Sequence, residues 1–504
     1  ELHTGAINVG AGETIDSWII QPIAGLTAGT YSTVVSAVYG EEALAIATVT
    51  FVVQPRPSGG GSGGAGGSTT PAPNNPGANE PAPEPLPNGV PVLVNGRAEN
   101  IGTLDTTTVN NQTITTITPD PAKLLEWLER EGNNAVVTIP VNVASDTTTA
   151  VLSGGIVQQL ADRSAVLVFT TPSASYQLSA SQLPIGDIAV DLGADASLAD
   201  VGFKLTIAKA SLEEKNLLQA ASNQAGATWL VEPVHFTMTA TYKNTTVDIN
   251  RFSSYVRRDL LIPDTVDPNR ITTGVVVGTD GSIHHVPTYV RQQDSQYYAV
   301  INSLTNSMYS LVWHPVTFSD TVNHWAENAI SDMGSRMIVT GVAPDRFEPN
   351  RYITRAEFAA MVVRALGLTP GKGDTSFTDV QASQWFAGYV QTAREYQLIE
   401  GYEDARFAPQ DHITREQAMT IMSKAMVLTG IQTTASQEQI EAELASFKDQ
   451  SSIAGYARAH IAANLSQSIA KGRSASTLAP KGQITRAEVA QLLQNLLQQS
   501  ELIQ

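Results

Sequence analysis

The sequence predicts a multidomain protein in which a β-rich upstream region precedes an all-α C-terminal third. A chain of 504 residues exceeds what one hydrophobic core organises, and its length predicts about three domains. Upstream segments alternate apolar and polar residues as half-buried strands do. The last third repeats one pattern three times, which predicts stacked supersecondary units with a shared core.

The repeat keeps a fixed internal spacing. In the first copy Gly341 precedes Pro349 by eight residues, and Pro349 precedes Arg355 by six. The other two copies keep both spacings, with Gly401, Pro409 and Arg415, then Gly472, Pro480 and Arg486. Each copy opens on Phe-x-Asp, with the aspartates Asp320, Asp379 and Asp449. Chance composition does not produce such a register.

Each copy ends in a predicted amphipathic helix that a capping box begins. Thr354 and Glu357 stand in the Thr-x-x-Glu arrangement, in which each side chain caps the backbone N–H of the other residue. Thr414 with Gln417 and Thr485 with Glu488 repeat the device.

An arginine occupies the first position of all three helices: Arg355, Arg415 and Arg486. A cation there faces the positive end of the helix dipole, which costs a few tenths of a kcal/mol. The recurrence of this arginine in all three copies therefore indicates that it has a function. Free amides and a guanidinium together favour a carboxylate or another anion. A salt bridge to a neighbouring side chain is the structural alternative.

These residues resemble S-layer homology modules of bacterial surface proteins. The resemblance rests on the Phe-x-Asp opening, the Trp325-Ala326 step, the glycine and the Ile-Thr-Arg-Ala-Glu signature, and it covers Phe318 to about Leu502. The modules are expected at 318–368, 377–429 and 447–502. The resemblance implies a pseudo-three-fold spindle whose grooves bind secondary cell-wall polymer that carries pyruvate ketals. Other S-layer subunits are possible partners, and neither a cofactor nor a metal is implied.

The resemblance also implies roles for individual residues. The three arginines would hold the ketal carboxylate, the three aspartates would face sugar hydroxyls, and Gly341, Gly401 and Gly472 would let the sugar approach the backbone. Trp325 and Trp385 would stack on a sugar ring. Structural alternatives are tryptophans in the core, aspartates that cap turns and glycines that end helices at positive φ.

The third copy departs from this pattern. Tyr456 stands in place of the tryptophan, Leu478 replaces a phenylalanine, and residues 429–446 lengthen the spacing before the copy begins. The groove that depends on Tyr456 is expected to be weaker or purely structural.

Composition narrows the function classes. The net charge of −18 argues against nucleic-acid binding, and the absence of cysteine excludes disulfides and thiolate sites. No apolar run reaches the length of a membrane span. The chain opens at Glu1 without a signal peptide, so we expect a fragment or processed product of a secreted, wall-associated protein.

The upstream region divides into three predicted parts. Residues 1–54 resemble the last strands of an immunoglobulin-like sandwich, 55–91 form a Gly/Pro/Ser-rich linker, and 92–317 form a β-rich α+β domain. In this domain a hairpin is predicted at Asn110-Asn111, helices after Asp120 and Ser211, and strands at 229–242, 274–277 and 297–312.

No catalytic motif stands out upstream. The carboxylates are scattered. His284-His285 is a candidate metal ligand or base, but such a pair is more often a solvated neighbour of a turn. His235-Phe236-Thr237 resembles a self-cleavage step, and the alternation of a buried strand explains it equally well. The sequence therefore predicts a non-enzymatic surface protein anchored by its repeats. The alternatives are a wall-anchored hydrolase, with its catalytic domain at 92–317 or in a missing N-terminal part, and a helical repeat without a ligand.

Overall fold

The computed structural model describes residues 29–39, 42–53, 89–193, 198–278 and 281–504. The chain divides into two compact units, Glu1–Ala82 and Pro83–Gln504. In the first unit, β1 (Gly29–Tyr39) and β2 (Glu42–Val53) form an antiparallel pair in which Gly29 faces Val53. The remaining strands of the predicted sandwich, and the linker up to residue 88, lie outside the described residues. Gly89, near the predicted end of the linker, already begins a strand.

The second unit begins with a β-rich region that contains one 16-stranded sheet in its described residues. Its strands are β3 (Gly89–Val94), β4 (Arg97–Val109), β5 (Gln112–Pro119), β6 (Val136–Pro140), β7 (Thr147–Ser153), β8 (Val166–Thr170), β9 (Ala174–Ser179), β10 (Gly202–Lys209), β11 (Thr228–Tyr242), β12 (Thr245–Asp248), β13 (Arg251–Ile262), β14 (Thr273–Val277), β15 (Ile283–Val286), β16 (Thr288–Gln293), β17 (Gln296–Thr305) and β18 (Met308–Trp313). The strand order is β15-β14-β18-β11-β10-β7-β5-β4-β3-β6-β8-β9-β13-β17-β16, and β12 pairs with β11. Two pairs, β5 with β7 and β6 with β8, are parallel, and the other pairs are antiparallel.

Four helices pack on this sheet: α1 (Pro121–Glu131), α2 (Gly154–Asp162), α3 (Ile185–Leu192) and α4 (Leu212–Gln224). The predicted starts of α1 and α4 are confirmed, because Asp120 accepts first-turn amides and Ser211 forms a capping box with Glu214. The predicted hairpin is also confirmed. Asn110 and Asn111 adopt φ of 49° and 65°, as a type I′ turn requires.

The stretch 297–312, predicted to be strand, holds two strands, β17 and β18. The expectation of a solvated His284-His285 turn is wrong for His285. That residue lies on β15 with only 3% of its surface exposed. The step from His235 to Thr237 continues in register with β10, as an ordinary strand does.

The last third of the unit is helical. Its helices are α5 (Glu327–Ser335), α6 (Arg355–Ala365), α7 (Ala387–Glu395), α8 (Arg415–Leu428), α9 (Gln437–Leu444), α10 (Arg458–Ser466) and α11 (Arg486–Gln499). The insertion before the third copy forms α9, which buries Ile440 and Leu444 in the core of the repeats. None of the helices in the described residues is long and apolar enough to cross a membrane.

The β-rich region packs directly on the repeats. Leu304 of β17 belongs to their hydrophobic core, and the Tyr255 hydroxyl donates to the carbonyl of Leu366 at 2.8 Å. Arg336 donates from Nη1 to the carbonyl of Thr288 at 3.1 Å. The two regions therefore form a continuous packed body within this unit.

Candidate functional site

The three repeat helices begin as the sequence predicts. The Glu357 amide donates to Thr354 Oγ1 at 3.2 Å, and the Thr354 amide donates to Glu357 Oε2 at 3.0 Å. Thr414 with Gln417 and Thr485 with Glu488 form the same reciprocal pairs. The capping boxes fix the backbone from which the arginines project.

The first amides of these helices are already bonded. The Arg355 amide donates to the carbonyl of Asp411 at 2.9 Å, and the Ala356 amide donates to that of Pro409 at 3.1 Å. The other two helices repeat these contacts. The Arg415 amide donates to the Gly482 carbonyl and the Glu416 amide to that of Pro480. The Arg486 amide donates to the Arg351 carbonyl and the Ala487 amide to that of Pro349. The idea that free helix-start amides receive an anion is therefore wrong, because the next copy fills them.

Each arginine side chain crosses to another copy of the repeat. Arg355 Nε donates to the Phe407 carbonyl at 2.9 Å. Arg415 Nε donates to the Leu478 carbonyl at 3.0 Å, and Arg486 Nε donates to the Phe347 carbonyl at 2.9 Å. Nη2 of each arginine donates to the backbone carbonyl of the residue before a repeat glycine. In the same order, these carbonyls belong to Glu400 (3.5 Å), Lys471 (3.0 Å) and Thr340 (2.6 Å). The arginines thus join copy one to two, two to three and three to one.

Two arginines carry an ion pair that the third lacks. Arg415 Nη1 lies 2.8 Å from Glu488 Oε1, and Arg486 Nη1 lies 3.5 Å from Glu357 Oε1. The corresponding position beside Arg355 holds Gln417, and none of the described carboxylates lies within ion-pair distance of Arg355. The structural alternative of a salt bridge thus applies to two of the three copies.

The arginines are buried, and burial lowers the pKa of all three because desolvation disfavours the charged form. The pKa of Arg486 falls to about 10, although Glu357 partly offsets the effect. Arginine side chains stay protonated in proteins, so all three guanidinium groups are cationic at neutral pH.

The repeat aromatics face solvent. Trp325, Trp385 and Tyr456 are 64%, 60% and 56% exposed, so the alternative that the tryptophans belong to the core is wrong. Trp325 lines a cavity of about 860 Å³ together with Arg415 and Gly472. Tyr456 lies near enough to Arg355 to act electrostatically on its guanidinium.

Each repeat glycine is needed because a side chain would clash with a neighbouring ring, not because of its backbone conformation. A Cβ on Gly341 would lie 2.8 Å from the Phe318 ring, and one on Gly472 would lie 2.6 Å from the Phe447 ring. Gly401 meets the Phe377 ring in the same way. None of the three has positive φ, so the interpretation that they end helices at positive φ is wrong.

The repeat aspartates hold the loop that follows the glycine. Asp320 accepts from the amides of Phe347 at 2.8 Å and Glu348 at 2.7 Å, one on each oxygen. Asp379 and Asp449 do the same for residues 407–408 and 478–479. Burial alone would raise the pKa of Asp320, but these hydrogen bonds hold it below its usual value. Contact of the aspartates with sugar remains a prediction.

Sequence reasoning missed two groove residues that directly follow a repeat glycine. The Tyr402 ring centroid lies 5.0 Å from the Arg355 guanidinium, and Arg473 Nη2 lies 3.1 Å from Glu488 Oε2. The first copy has Val342 at this position. Because the three copies differ here, comparison of the repeats could not identify the position.

The comparisons with known proteins agree with the repeat. The family model described as S-layer homology domain matches residues 317–359, 376–419 and 446–490. A surface layer protein of Brevibacillus choshinensis is 32% identical over 25% of this chain and 12% of its own length.

Two other relatives are named as enzymes. An exoglucanase of Acetivibrio thermocellus is 32% identical over 48% of this chain and 21% of its own length. An amylopullulanase of Thermoanaerobacterium thermosulfurigenes is 34% identical over 40% of this chain and 10% of its own length. The chain thus spans about a fifth of the first relative's length and a tenth of the second's.

These relatives overturn the expectation of a non-enzymatic protein. Glycoside hydrolases match the chain over as many as 242 residues, which is longer than the stretch from 317 to 490. Proteins named as enzymes therefore stand among those that this chain resembles.

The repeat geometry, the three domain matches and the surface-layer relative lead to one assignment. The chain has three S-layer homology domains and is similar to surface-layer proteins, which indicates a secreted protein at the cell-wall surface.

Proposed function

We propose that this chain is the wall-binding part of a surface glycoside hydrolase, and that its three domains form a pseudo-three-fold spindle whose grooves bind pyruvylated secondary cell-wall polymer. The polymer chemistry comes from the resemblance to the domain family, and the hydrolase activity from the named relatives.

A closed ring of backbone hydrogen bonds supports the spindle. The Ile353 amide donates to the carbonyl of Ile484 at 3.1 Å. Ile484 in turn donates to Ile413, and Ile413 donates to Ile353, both at 3.2 Å. Three equivalent residues that bond in a cycle are what a three-fold arrangement of the copies requires.

The buried guanidinium of Arg355, which forms no ion pair within the described residues, is the observation that carries the polymer proposal. Its Nε and Nη2 are held by carbonyls, none of the carboxylates in the described part of the chain forms an ion pair with it, and Tyr402 and Tyr456 stand beside it. A buried cation without a direct ion pair favours an anionic ligand, and a guanidinium suits a carboxylate. Sugar rings stack on exposed aromatic faces in the same groove.

The other grooves keep a cation beyond their ion pair. Arg415 and Arg473 share Glu488. Lys471 lies two residues before Arg473 on the same loop and forms no ion pair among the described residues. In the groove of Arg486 the additional cation is Arg364, which bonds the Tyr389 hydroxyl. Every groove can therefore attract a carboxylate despite the net negative charge of the chain.

The β-rich region offers a limited basis for catalysis. Hydrogen bonds from Thr113 and Lys209 lower the pKa of Asp146. Those from Ser211 and His235 outweigh burial and lower the pKa of Glu214. A glycosidase acid needs the opposite shift. Assays of the chain itself on xylan, starch and β-glucan decide whether this region hydrolyses polysaccharide.

The polymer proposal is tested by Gln417→Glu. This change gives Arg355 the carboxylate that Arg415 and Arg486 already have, and it keeps the capping box. A charge-assisted hydrogen bond contributes about 1.5–3 kcal/mol, so calorimetry should show about ten- to hundred-fold weaker binding of pyruvylated polymer.

Gln439→Glu is the matched control. Gln439 holds the same position in the capping box of α9 and is exposed, so the control adds the same charge outside the grooves. Equal affinities of the two variants would contradict the role of Arg355. Binding of polymer from which pyruvate has been removed, with unchanged affinity, would contradict the carboxylate mechanism.

A further inference from the structure

A cavity of about 530 Å³ lies where the β-rich region meets the first two domains. The β-rich side contributes Ile283, His285 and His314, and the domains contribute Thr340, Gly341, Arg364 and Tyr389. Its volume falls within the range of ~300–1,000 Å³ that small-molecule pockets occupy.

The cavity continues the groove of Arg486. Thr340 lines the cavity and also accepts from Arg486 Nη2 at 2.6 Å. Tyr389 lines it from the second domain, one helical turn beyond the exposed Trp385, and the two ring centroids lie 6.4 Å apart. One of the three grooves is therefore extended by a wall that belongs to the β-rich region.

Arg364 brings a positive charge into this cavity. It is half-buried, and its Nε donates to the Tyr389 hydroxyl at 3.1 Å while its guanidinium covers that ring at 4.7 Å. No carboxylate within the described ranges pairs with it. Its position at the end of α6 also suits the helix dipole, which explains a cation there but not the absence of a partner.

At the position of Arg364, the second domain has a cation that is paired with a carboxylate, and the third domain has an uncharged residue. Lys424 occupies this place in the second domain and forms an ion pair with Glu400 at 2.5 Å. Asn495 occupies it in the third and donates to the carbonyl of Ile469 at 2.9 Å. Thr340 stands where the second domain has Glu400, so the groove of Arg486 has the cation Arg364 without a carboxylate at this position.

Two histidines supply hydrogen-bond acceptors or donors from the opposite wall. His314 Nδ1 lies 2.8 Å from the Ser335 carbonyl and donates to it, so neutral His314 has an acceptor at Nε2. His285 Nδ1 bonds Thr273 Oγ1 at 2.7 Å, and its buried Nε2 has no partner. Burial lowers the pKa of His285 well below its usual value, so the ring is neutral. A buried polar atom without a partner indicates a missing ligand or water.

Close backbone contact keeps the two walls together. Gly367 has φ of 67°, and a Cβ there would lie 2.6 Å from Pro287 Cδ and 3.2 Å from Val286 Cα. Val316 donates to Ser335 Oγ at 2.9 Å on the other side. The cavity is thus bounded by packed elements rather than by a mobile loop.

We propose that this cavity is a subsite for a carboxylate-bearing sugar residue, completed by the β-rich region, in which Arg364 binds the carboxylate and the histidines bind hydroxyls. The proposal rests on the proposed polymer binding and adds a consequence to it. A sugar bound here contacts both regions, so polymer binding stabilises the junction between the anchor and the β-rich region.

The test is hydrogen–deuterium exchange of the full chain with soluble fragments of pyruvylated wall polymer, and with the same fragments after removal of pyruvate. The pyruvylated fragments should slow exchange in Ile283–Val286 and in 338–344, and the treated fragments should not. Arg364→Gln should abolish this protection and weaken binding at this subsite by about ten-fold or more, because a charge-assisted hydrogen bond is lost.

Arg394→Gln is the matched control, since Arg394 covers the Phe377 ring at the same 4.7 Å but does not line the cavity. The control should leave the protection unchanged. If polymer binds but residues 283–286 show no protection, the subsite is overturned while the proposed function stands. If polymer binds nowhere on the chain, both are overturned. If Arg364→Gln fails to fold, the exchange pattern of the unaltered chain decides.

Discussion

The β-rich region and the domain triplet both bury arginine, but in different ways. Arg258 of β13 is fully buried; its Nη1 donates to the Val256 carbonyl, and its Nη2 donates to the Thr305 carbonyl and to Asn306. The ring centroids of Tyr176, Phe236 and Tyr309 lie within 5.8 Å of its guanidinium. Arg355 is also held by carbonyls, yet exposed Tyr402 and Tyr456 stand beside it.

This difference shows that burial of a charge does not by itself mark a ligand site. Both Nη atoms of Arg258 are bonded inside the fold and three aromatic faces surround its charge, although its buried Nε has no partner in the described part of the chain. Arg355 forms no ion pair within the described residues, and the exposed rings of Tyr402 and Tyr456 stand beside it. A functional interpretation therefore depends on what the cation lacks and on its access to solvent.

The largest expected effect is at Arg258. Arg258→Met should destabilise the chain by about 3–5 kcal/mol, because three backbone carbonyls and Asn306 would lose a buried charged donor. Urea denaturation measures the change. Arg270→Met is the control, since exposed Arg270 covers the Trp313 ring at 5.5 Å and should cost less than about 1 kcal/mol. Similar losses in both variants would contradict the view that Arg258 stabilises the core.

The second effect concerns the contact between the two regions. Gly367→Ala should cost about 2–4 kcal/mol, because it adds a clash with Pro287 to the strain of positive φ. Gly430→Ala isolates the conformational part, since Gly430 has φ of 84° and nothing within 4 Å of the added Cβ, and it should cost only about 1 kcal/mol. Thermal unfolding compares the two. Equal shifts would show that the regions can separate at this point without cost.

The parts of the structure that the sequence predicted are local. Capping boxes, the Asn110-Asn111 turn and the helix after Asp120 each depend on a few neighbouring residues. The repeat arginines and exposed aromatics were found because three copies show which positions recur. These features need no knowledge of distant contacts.

What the sequence could not predict depends on residues far apart in the chain. The helix-start amides are filled by carbonyls of another copy, and Tyr255 bonds Leu366 across 111 residues. The order of 16 strands has no local signal either. The cavity beside Arg364 exists only because these contacts bring β15 against the first two domains.

The smallest predicted effect separates the two kinds of buried arginine by pH. Arg258 is held by neutral oxygens, whereas Arg415 and Arg486 are paired with Glu488 and Glu357. Burial would raise the pKa of both glutamates, but their hydrogen bonds and neighbouring arginines hold it below the usual value. A lowered carboxyl pKa contributes stability that is present above the unfolded pKa, near 4.3, and is lost as pH falls through the folded pKa.

Acid should therefore weaken the triplet before it affects the contacts of Arg258, and exchange in α6 and α11 should rise first below about pH 4. Glu488→Gln reproduces the arrangement at Gln417, so it should remove part of this acid dependence and lower stability at pH 7 by about 1 kcal/mol. Urea titrations at several pH values measure both effects. An unchanged pH profile in Glu488→Gln would show that the ion pairs contribute nothing, and that carbonyl contacts hold the arginines of both regions in the same way.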